Sequence, residues 1–337
     1  MEKNVSQRMT TLSFIMSCFI VLYHCGPTEM ESVNLIDKSI DAFFNNFFTS
    51  FGDLAMCYFF TVSGYLFFYN YHEGVYLKKI RKRFTTLFIP YFLWNTITGI
   101  MWLYEKHWDL YIKNNFLLEQ WPYDFPLWYM YVIFLLSFIS PIFYWMFKDR
   151  RLGAGAVVIC MFLFYCIQIS QNHMVITVRS YGLMPELITY LPVYFIGAYF
   201  GIQKMSNEDI IRFVSLILLI VVIGSSVWSD FLRINVVRII PILLIYSLPK
   251  MFLIKNAKTT NITFLLYATH AFTDGARRVI RPVMAELCSW SSWINVGGRV
   301  LTLMYCLMVA WIVWIVMSKV TPNILRIVTG NRVKAEI

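Results

Sequence analysis

The segment VLTLMYCLMVAWIVWIV at residues 300–316 carries no charged side chain and lies between Arg299 and Lys319. A helix needs about 20 mostly apolar residues to cross the hydrocarbon core of a bilayer. We therefore predict a transmembrane helix over residues 297–318. Similar apolar runs recur along the chain, so the sequence predicts an all-α, polytopic integral membrane bundle of about ten transmembrane helices. The predicted spans lie near residues 9–27, 52–71, 84–104, 126–147, 153–171, 184–202, 211–228, 234–252, 261–282 and 297–318.

The composition leaves no room for a large soluble domain. Of the 337 residues, 58% are apolar and only 14% are charged, whereas soluble domains carry about 25% charged residues. No internal repeat or long linker interrupts the chain, so residues 1–337 are predicted to form one integral membrane domain. The net charge of +10 is compatible with nucleic-acid binding. However, the basic residues lie between the apolar runs, where lysine and arginine set the orientation of a membrane protein. No nucleic-acid partner is therefore predicted.

The positions of the basic residues predict how the chain crosses the membrane. With the N-terminus inside, most of the 29 lysines and arginines fall in cytoplasmic segments, as the positive-inside rule requires. This predicts a multi-pass protein of inner-membrane type with both the N- and the C-terminus cytoplasmic. The exception is a group that would face outward after the ninth span, which marks either a functional site or a misplaced span: Arg277, Arg278, Arg281 and Arg299.

The seven cysteines lie mostly inside apolar runs. None forms a CxxC pair and none has the spacing of metal ligands, so we interpret them as small buried hydrophobic residues and predict no metal site. The chain also lacks the sequence motifs of P-loop, dinucleotide-binding, zinc-protease and serine-hydrolase proteins.

His24 closes the first apolar run, in the sequence FIVLYHC at residues 19–25. Ionisable side chains at membrane depth are rare and usually face a cavity or a partner. Because histidine titrates near neutrality, His24 is a candidate general base for a hydroxyl proton, with Tyr23 beside it as a candidate pocket residue. The alternative is an interfacial histidine at a helix end with no catalytic role.

His270 also lies within an apolar run, and Asp274 and Arg277 follow it four and seven residues later. This spacing places all three residues on one face of a helix. The face is a candidate pocket for an anionic group or a sugar. The alternative is a structural histidine that is hydrogen-bonded inside the bundle.

A dense basic segment precedes the third span. Five of the six residues 78–83 are Lys or Arg, and arginine binds phosphate in a bidentate manner. Lys79, Arg81 and Arg83 are therefore candidate phosphate ligands, although a positive-inside loop has the same composition. Ser63 and Gly64 interrupt the Phe-rich second span, where small residues let membrane helices approach closely. Ser63 is a further candidate pocket residue.

Taken together and in order, these segments resemble the membrane acyltransferase-3 family, whose members O-acylate sugars of bacterial surface and exported polysaccharides. The resemblance covers essentially the whole chain, and a bundle of this size is also the family's core. It rests on segments that look like the family's motifs, namely FIVLYH at 19–24, YFFTVSGYL at 58–66, KKIRKR at 78–83, FIPY at 88–91, PLWY at 126–129, LPVYFIG at 191–197 and TFLLYATH at 263–270.

The resemblance implies an acyl-CoA donor, usually acetyl-CoA, that reaches the site from the cytoplasm, and an acceptor hydroxyl on a cell-surface or exported glycan. It implies that His24 is the catalytic base or acyl relay, that Arg81 and Arg83 contact the donor phosphates, and that His270 is a pocket residue. The expected location is the bacterial inner membrane. The expected partners are acyl-CoA, the glycan acceptor and the lipid bilayer.

The chain departs from the family pattern at three places. Ser13 stands where relatives usually carry an arginine, and Thr10 stands where an acidic residue often lies. After the fourth-span motif, where many relatives carry a charged pair, the chain has the uncharged residues Met130, Tyr131 and Val132. Losing a group that stabilises developing charge costs roughly a hundredfold or more in rate. One alternative is therefore a catalytically silent relative that serves as an assembly subunit. The other is a transporter of a saccharide or lipid-linked intermediate, a class that also uses buried ionisable residues.

Overall fold

The structure is a computed structural model that describes residues 3–24, 35–102, 108–116, 122–173, 183–204, 230–254, 257–270 and 292–332. These ranges are helical or form short turns and contain no β-strand, which confirms the prediction of an all-α membrane bundle. The α-helices are α1 Lys3–His24, α2 Leu35–Phe68, α3 Tyr76–Arg83, α4 Ile89–Trp102, α5 Trp108–Asn115, α6 Trp128–Phe138, α7 Ser140–Lys148, α8 Arg150–His173, α9 Leu183–Gln203, α10 Asp230–Ser247, α11 Ala257–Thr269, α12 Ser292–Val320 and α13 Pro322–Val328.

Three of the described helices are long and apolar enough to cross a membrane, and a bent pair adds a fourth if it is counted as one span. In α12, only 17% of the apolar window is buried, so its exposed apolar side chains are suited to contact lipid. The seventh predicted span, 211–228, lies outside the described residues, and the total of about ten spans stays a prediction. The candidate spans are Asn4–His24, Phe43–Phe68, Val296–Val320 and the pair Phe125–Phe138 with Ser140–Lys148.

Helix α2 begins earlier than the sequence predicts. The predicted span is 52–71, preceded by an outer loop, yet α2 starts at Leu35 and has 34 residues. At 1.5 Å per residue it measures about 51 Å, which exceeds the roughly 30 Å of the hydrocarbon core. Its first turns therefore extend beyond the apolar candidate span Phe43–Phe68, so the acidic residues in them need not enter the hydrocarbon.

Two other segments differ from the prediction. The predicted span 126–147 is broken, because α6 and α7 meet at a bend of 65°. Pro141, in the first turn of α7, has no backbone N–H and cannot continue the hydrogen bonding of α6. The basic segment that was expected to be a loop is helix α3, which a π-helical turn at Phe84–Phe88 joins to α4. Lysine and arginine are good helix formers, so an exposed basic segment can take this form.

The chain divides into two compact units, the first formed by Met1–Leu12 and Cys57–Ile254 and the second by Ser13–Met56 and Lys255–Ile337. In the first unit, the backbones of α2 and α9 are in close contact. A Cβ atom on Gly64 would overlap the Tyr194 carbonyl oxygen, and one on Gly197 would overlap the Thr61 carbonyl oxygen. The prediction that small residues allow a close helix approach is confirmed at this contact.

In the second unit, α11 packs against α12, with Leu265 and Cys306 fully buried. The second half of α1 contacts the first half of α2, where the Phe19 and Phe51 rings stack with centroids 4.4 Å apart. These contacts are apolar and aromatic, so burial of their surface stabilises the unit. They support the C-terminal ends of α1 and α11.

Candidate active site

The C-terminal ends of α1 and α11 bring two histidines together in the second unit. The rings of His24 and His270 stack with centroids 5.4 Å apart and planes inclined by 18°. His24 is half-buried, and His270 is only 6% exposed. The sequence predicts each residue as a separate candidate, whereas the structure places them in one site, called the histidine pair below.

The backbone of α11 sets the tautomer of His270. Its Nδ1 lies 2.6 Å from the Tyr267 carbonyl oxygen. Because a carbonyl oxygen only accepts hydrogen bonds, Nδ1 carries the proton and donates it. In a neutral imidazole, Nε2 then holds the lone pair and can accept a proton. The Tyr267 ring also meets the His270 ring edge-on, with centroids 5.6 Å apart.

Tyr23 lies next to the histidine pair. Its ring meets the His24 ring edge-on, with centroids 4.8 Å apart, and its side chain is 40% exposed. The pocket role that the sequence suggests for Tyr23 stays a prediction. Asp274 and Arg277, which the sequence places on one face with His270, lie outside the described residues.

A buried arginine reaches the end of α1 that carries His24. Arg299, near the start of α12, is 4% exposed and donates from Nη1 to the Leu22 carbonyl oxygen at 3.2 Å. Its Nη2 donates to Oδ1 of Asn45 in α2, and the guanidinium lies over the Phe48 ring at 4.7 Å. The sequence signals Arg299 as one of the arginines that would face outward after the ninth span, which mark either a functional site or a misplaced span. Its partners are distant in the chain, so no local pattern predicts these contacts.

In the first unit, Lys79 of α3 turns towards the end of α2. Its ammonium donates to the carbonyl oxygens of Phe67 and Tyr69, the latter at 3.0 Å. The last carbonyls of a helix have no intrahelical donor, so Lys79 satisfies two acceptors at this end. Burial, together with the nearby charges of Arg83 and Lys82, lowers the pKa of Lys79 to about 8. Its charge therefore changes just above physiological pH.

Arg83 contacts Ser63 through both ends of its guanidinium. Nη1 donates to the Ser63 hydroxyl at 2.7 Å, and Nη2 donates to the Ser63 carbonyl oxygen at 2.8 Å. The guanidinium also lies over the Phe67 ring at 5.1 Å. The structure thus joins two residues that the sequence predicts for different roles, a phosphate ligand and a pocket residue. Their contact fixes α3 against α2.

Arg81 is exposed, as are Lys78 and Lys82. An exposed guanidinium can form bidentate hydrogen bonds to a phosphate group without first leaving a buried partner. Helix α3 therefore has half-buried cations, Lys79 and Arg83, that contact α2, and exposed cations that are available to an anionic ligand.

Residues 12–329 match the model of the acyltransferase-3 family, which is described as an acyltransferase domain. The matched range includes both histidines of the pair and the whole of α3. The chain belongs to the acyltransferase-3 family. It is accordingly an acyltransferase, and its apolar helices make it a membrane protein. No curated protein and no solved structure matches it.

This acyltransferase-3 protein has neutral residues at positions where the resemblance leads us to expect charge, among them Ser13 and Tyr131. Ser13 is half-buried. Arg8 is buried in the first unit and donates from Nε to the Leu248 carbonyl oxygen at 3.0 Å. Tyr131 is buried and stacks on Tyr91, with centroids 5.6 Å apart.

Proposed function

We propose that this acyltransferase-3 protein is a membrane O-acyltransferase that transfers an acyl group from acyl-CoA to a hydroxyl of a cell-surface or exported glycan. Acetyl is the first acyl group to test. The observation that carries the proposal is the histidine pair at the end of α1, in a chain of this family. The proposed location is the bacterial inner membrane, as a multi-pass protein with both termini cytoplasmic, and the distribution of lysine and arginine supports this orientation.

In the proposed reaction, His24 accepts the proton of the acceptor hydroxyl while the hydroxyl oxygen bonds to the thioester carbonyl carbon. The C–S bond then breaks, and the proton passes from His24 to the departing CoA sulfur. The products are an O-acyl ester and CoA thiol. His270 stacks on His24 and restricts the orientation of its ring. General base catalysis of this kind contributes about 10²–10⁴-fold in rate.

The donor phosphates are proposed to bind Lys79, Arg81 and Arg83. The concentration of positive charge on α3 and the exposure of Arg81 support this role. A phosphate bound there would favour the protonated form of Lys79. Positioning donor and acceptor at one enzyme replaces a bimolecular encounter with a pre-oriented one.

The donor half of the proposal is tested by titrating acetyl-CoA into the detergent-purified protein in a calorimeter. We expect binding in the micromolar range, weakened about tenfold or more in the Arg81→Ala/Arg83→Ala double variant, because charge-assisted hydrogen bonds to phosphate are lost. The single variant Arg81→Ala changes an exposed residue and keeps the fold intact. The matched control is Arg150→Ala/Arg151→Ala, which removes two other exposed arginines of the first unit and should bind as wild type does.

A second candidate function is a catalytically silent assembly subunit, favoured by the neutral residues at Ser13 and Tyr131. It predicts that a folded, monodisperse preparation binds neither acetyl-CoA nor longer acyl-CoA donors. The same titration separates the two functions, since the absence of any donor binding contradicts the O-acyltransferase.

A further inference from the structure

Arg299 is a buried cation whose hydrogen bonds converge on the end of α1. Its guanidinium contacts two helices at once, through the Leu22 carbonyl oxygen in α1 and the Asn45 side chain in α2. The Phe48 ring covers one face of it at 4.7 Å. All of these residues belong to the second unit.

The contact with Leu22 lies two residues before His24, in the last turn of α1. The carbonyls of a last turn lack intrahelical donors and carry the negative end of the helix dipole, so a guanidinium there is favourable. Helix α1 has no lysine or arginine between Arg8 and His24. The cation at this end of α1 therefore comes from α12.

An arginine suits this contact better than a lysine does. Two acceptors on different helices are reached by two different nitrogens of one planar, rigid group. A lysine ammonium is a single point of charge on a flexible stem and cannot reproduce this fork. Burying a charge in an apolar bundle is costly, and contact with the last turn of α1 offsets part of that cost.

We propose that Arg299 is the positioning residue for His24. Its hydrogen bonds to Leu22 and Asn45 hold the last turn of α1 against α2. This contact fixes where the His24 ring stacks on His270. The inference rests on the proposed acyl-transfer function, because it assigns Arg299 a role in that reaction. Arg299 acts through His24, without contacting the reacting groups.

The test compares steady-state acyl transfer in Arg299→Ala, Arg299→Lys and wild type, with CoA release as the readout. We expect kcat to fall about a hundredfold in Arg299→Ala, since a misplacement of about 1 Å costs that much. The KM for acetyl-CoA and its calorimetric affinity should not change. Arg299→Lys should recover only part of the loss. Guanidinium ion added at tens of millimolar should restore part of the activity of Arg299→Ala and none of the activity of His24→Gln.

A milder pair of variants covers the case in which Arg299→Ala does not fold. Asn45→Leu removes one acceptor of the fork, while Asn45→Asp keeps an acceptor at the same place. We expect a lower kcat in Asn45→Leu and near-wild-type kcat in Asn45→Asp. Arg332→Ala is the matched control, because Arg332 also lies over a ring of the second unit, that of Phe264, and should leave kcat unchanged.

Each outcome bears on one proposal at a time. Wild-type kcat in a folded Arg299→Ala, or an equal loss in Asn45→Leu and Asn45→Asp, overturns the positioning role of Arg299 and leaves the proposed function standing. If the wild-type protein itself transfers no acyl group from any acyl-CoA, the proposed function fails, whatever the Arg299 variants do.

Discussion

The end of α1 in the second unit and the end of α2 in the first unit are both stabilised by a cationic side chain from another helix, but different functional residues lie near the two ends. At each end, a cation from a later helix donates to backbone carbonyls, Arg299 at α1 and Lys79 at α2. At the end of α1, the rings of His24 and His270 stack on each other. At the end of α2, Lys79 belongs to helix α3, which also carries exposed cations such as Arg81. Arg299 and Lys79 both secure helix ends, but the proposed proton transfer is assigned to His24 at the first end and the proposed binding of the donor phosphates to α3 at the second.

The largest effect that separates the two regions is expected at His270. The substitution His270→Ala removes the ring that stacks on His24. We expect the transfer rate to fall about a hundredfold, because a catalytic group misplaced by about 1 Å loses that much rate, with acetyl-CoA affinity unchanged. The measurement is the initial rate of CoA release. His72→Gln, at an exposed loop histidine, is the control, and a wild-type rate in His270→Ala would contradict the role of His270 in orienting His24.

The difference between half-buried and exposed cations on α3 predicts a difference in the stability of their variants. Arg83→Gln removes two hydrogen bonds to Ser63 and should lower the free energy of unfolding by about 2 kcal/mol. Arg81→Gln changes an exposed side chain and should leave stability unchanged while weakening donor binding. Unfolding in detergent, followed by tryptophan fluorescence, checks both variants. Equal stability of the two variants would contradict the structural role of Arg83.

The lowered pKa of Lys79 predicts a pH dependence of donor binding. Lys79 loses its proton as pH rises through about 8, and a neutral amine no longer attracts phosphate. If its charge contributes to binding, the affinity for acetyl-CoA should begin to fall above that pH, by up to about tenfold per pH unit. In Lys79→Arg, the charge persists and the fall should disappear. Titrations of both proteins from pH 6.5 to about pH 9.5 make the comparison, and a pH-independent affinity in wild type would exclude a contribution from Lys79.

The smallest expected effect concerns Asp124, just before the 3₁₀ turn that leads into α6. Its carboxylate oxygens have no hydrogen-bond partner in the described structure, whereas Arg299 and Lys79 both donate to carbonyl oxygens. Burial raises the pKa of Asp124 well above the usual range. A raised pKa in the folded state means that stability is highest below the unfolded-state pKa and is lost as pH rises. At pH 8, Asp124→Asn should therefore increase stability by about 1 kcal/mol. The gain should shrink towards pH 4, and a variant less stable than wild type at every pH would contradict this account.

The sequence predicts the helical class because long apolar runs have few other solutions in a bilayer. It does not predict that α2 starts at Leu35 or that the fourth span bends by 65° at the start of α7, since tertiary contacts decide whether a polar segment continues a helix. His24 and His270 are recognisable as buried ionisable residues in apolar runs. Their stacking, the Ser63–Arg83 contact and the partners of Arg299 join distant parts of the chain, and no local periodicity encodes them.

The central claim is that His24 is the base of an acyl transfer from acyl-CoA. The most direct test measures transfer of labelled acetyl from acetyl-CoA to the glycan fraction of membranes that contain wild type or His24→Gln at equal abundance. The account predicts label in the glycan with wild type and a loss of about 10²–10⁴-fold with His24→Gln, while calorimetric acetyl-CoA binding is retained. Equal transfer by the two proteins would contradict the role of His24 and with it the proposed mechanism.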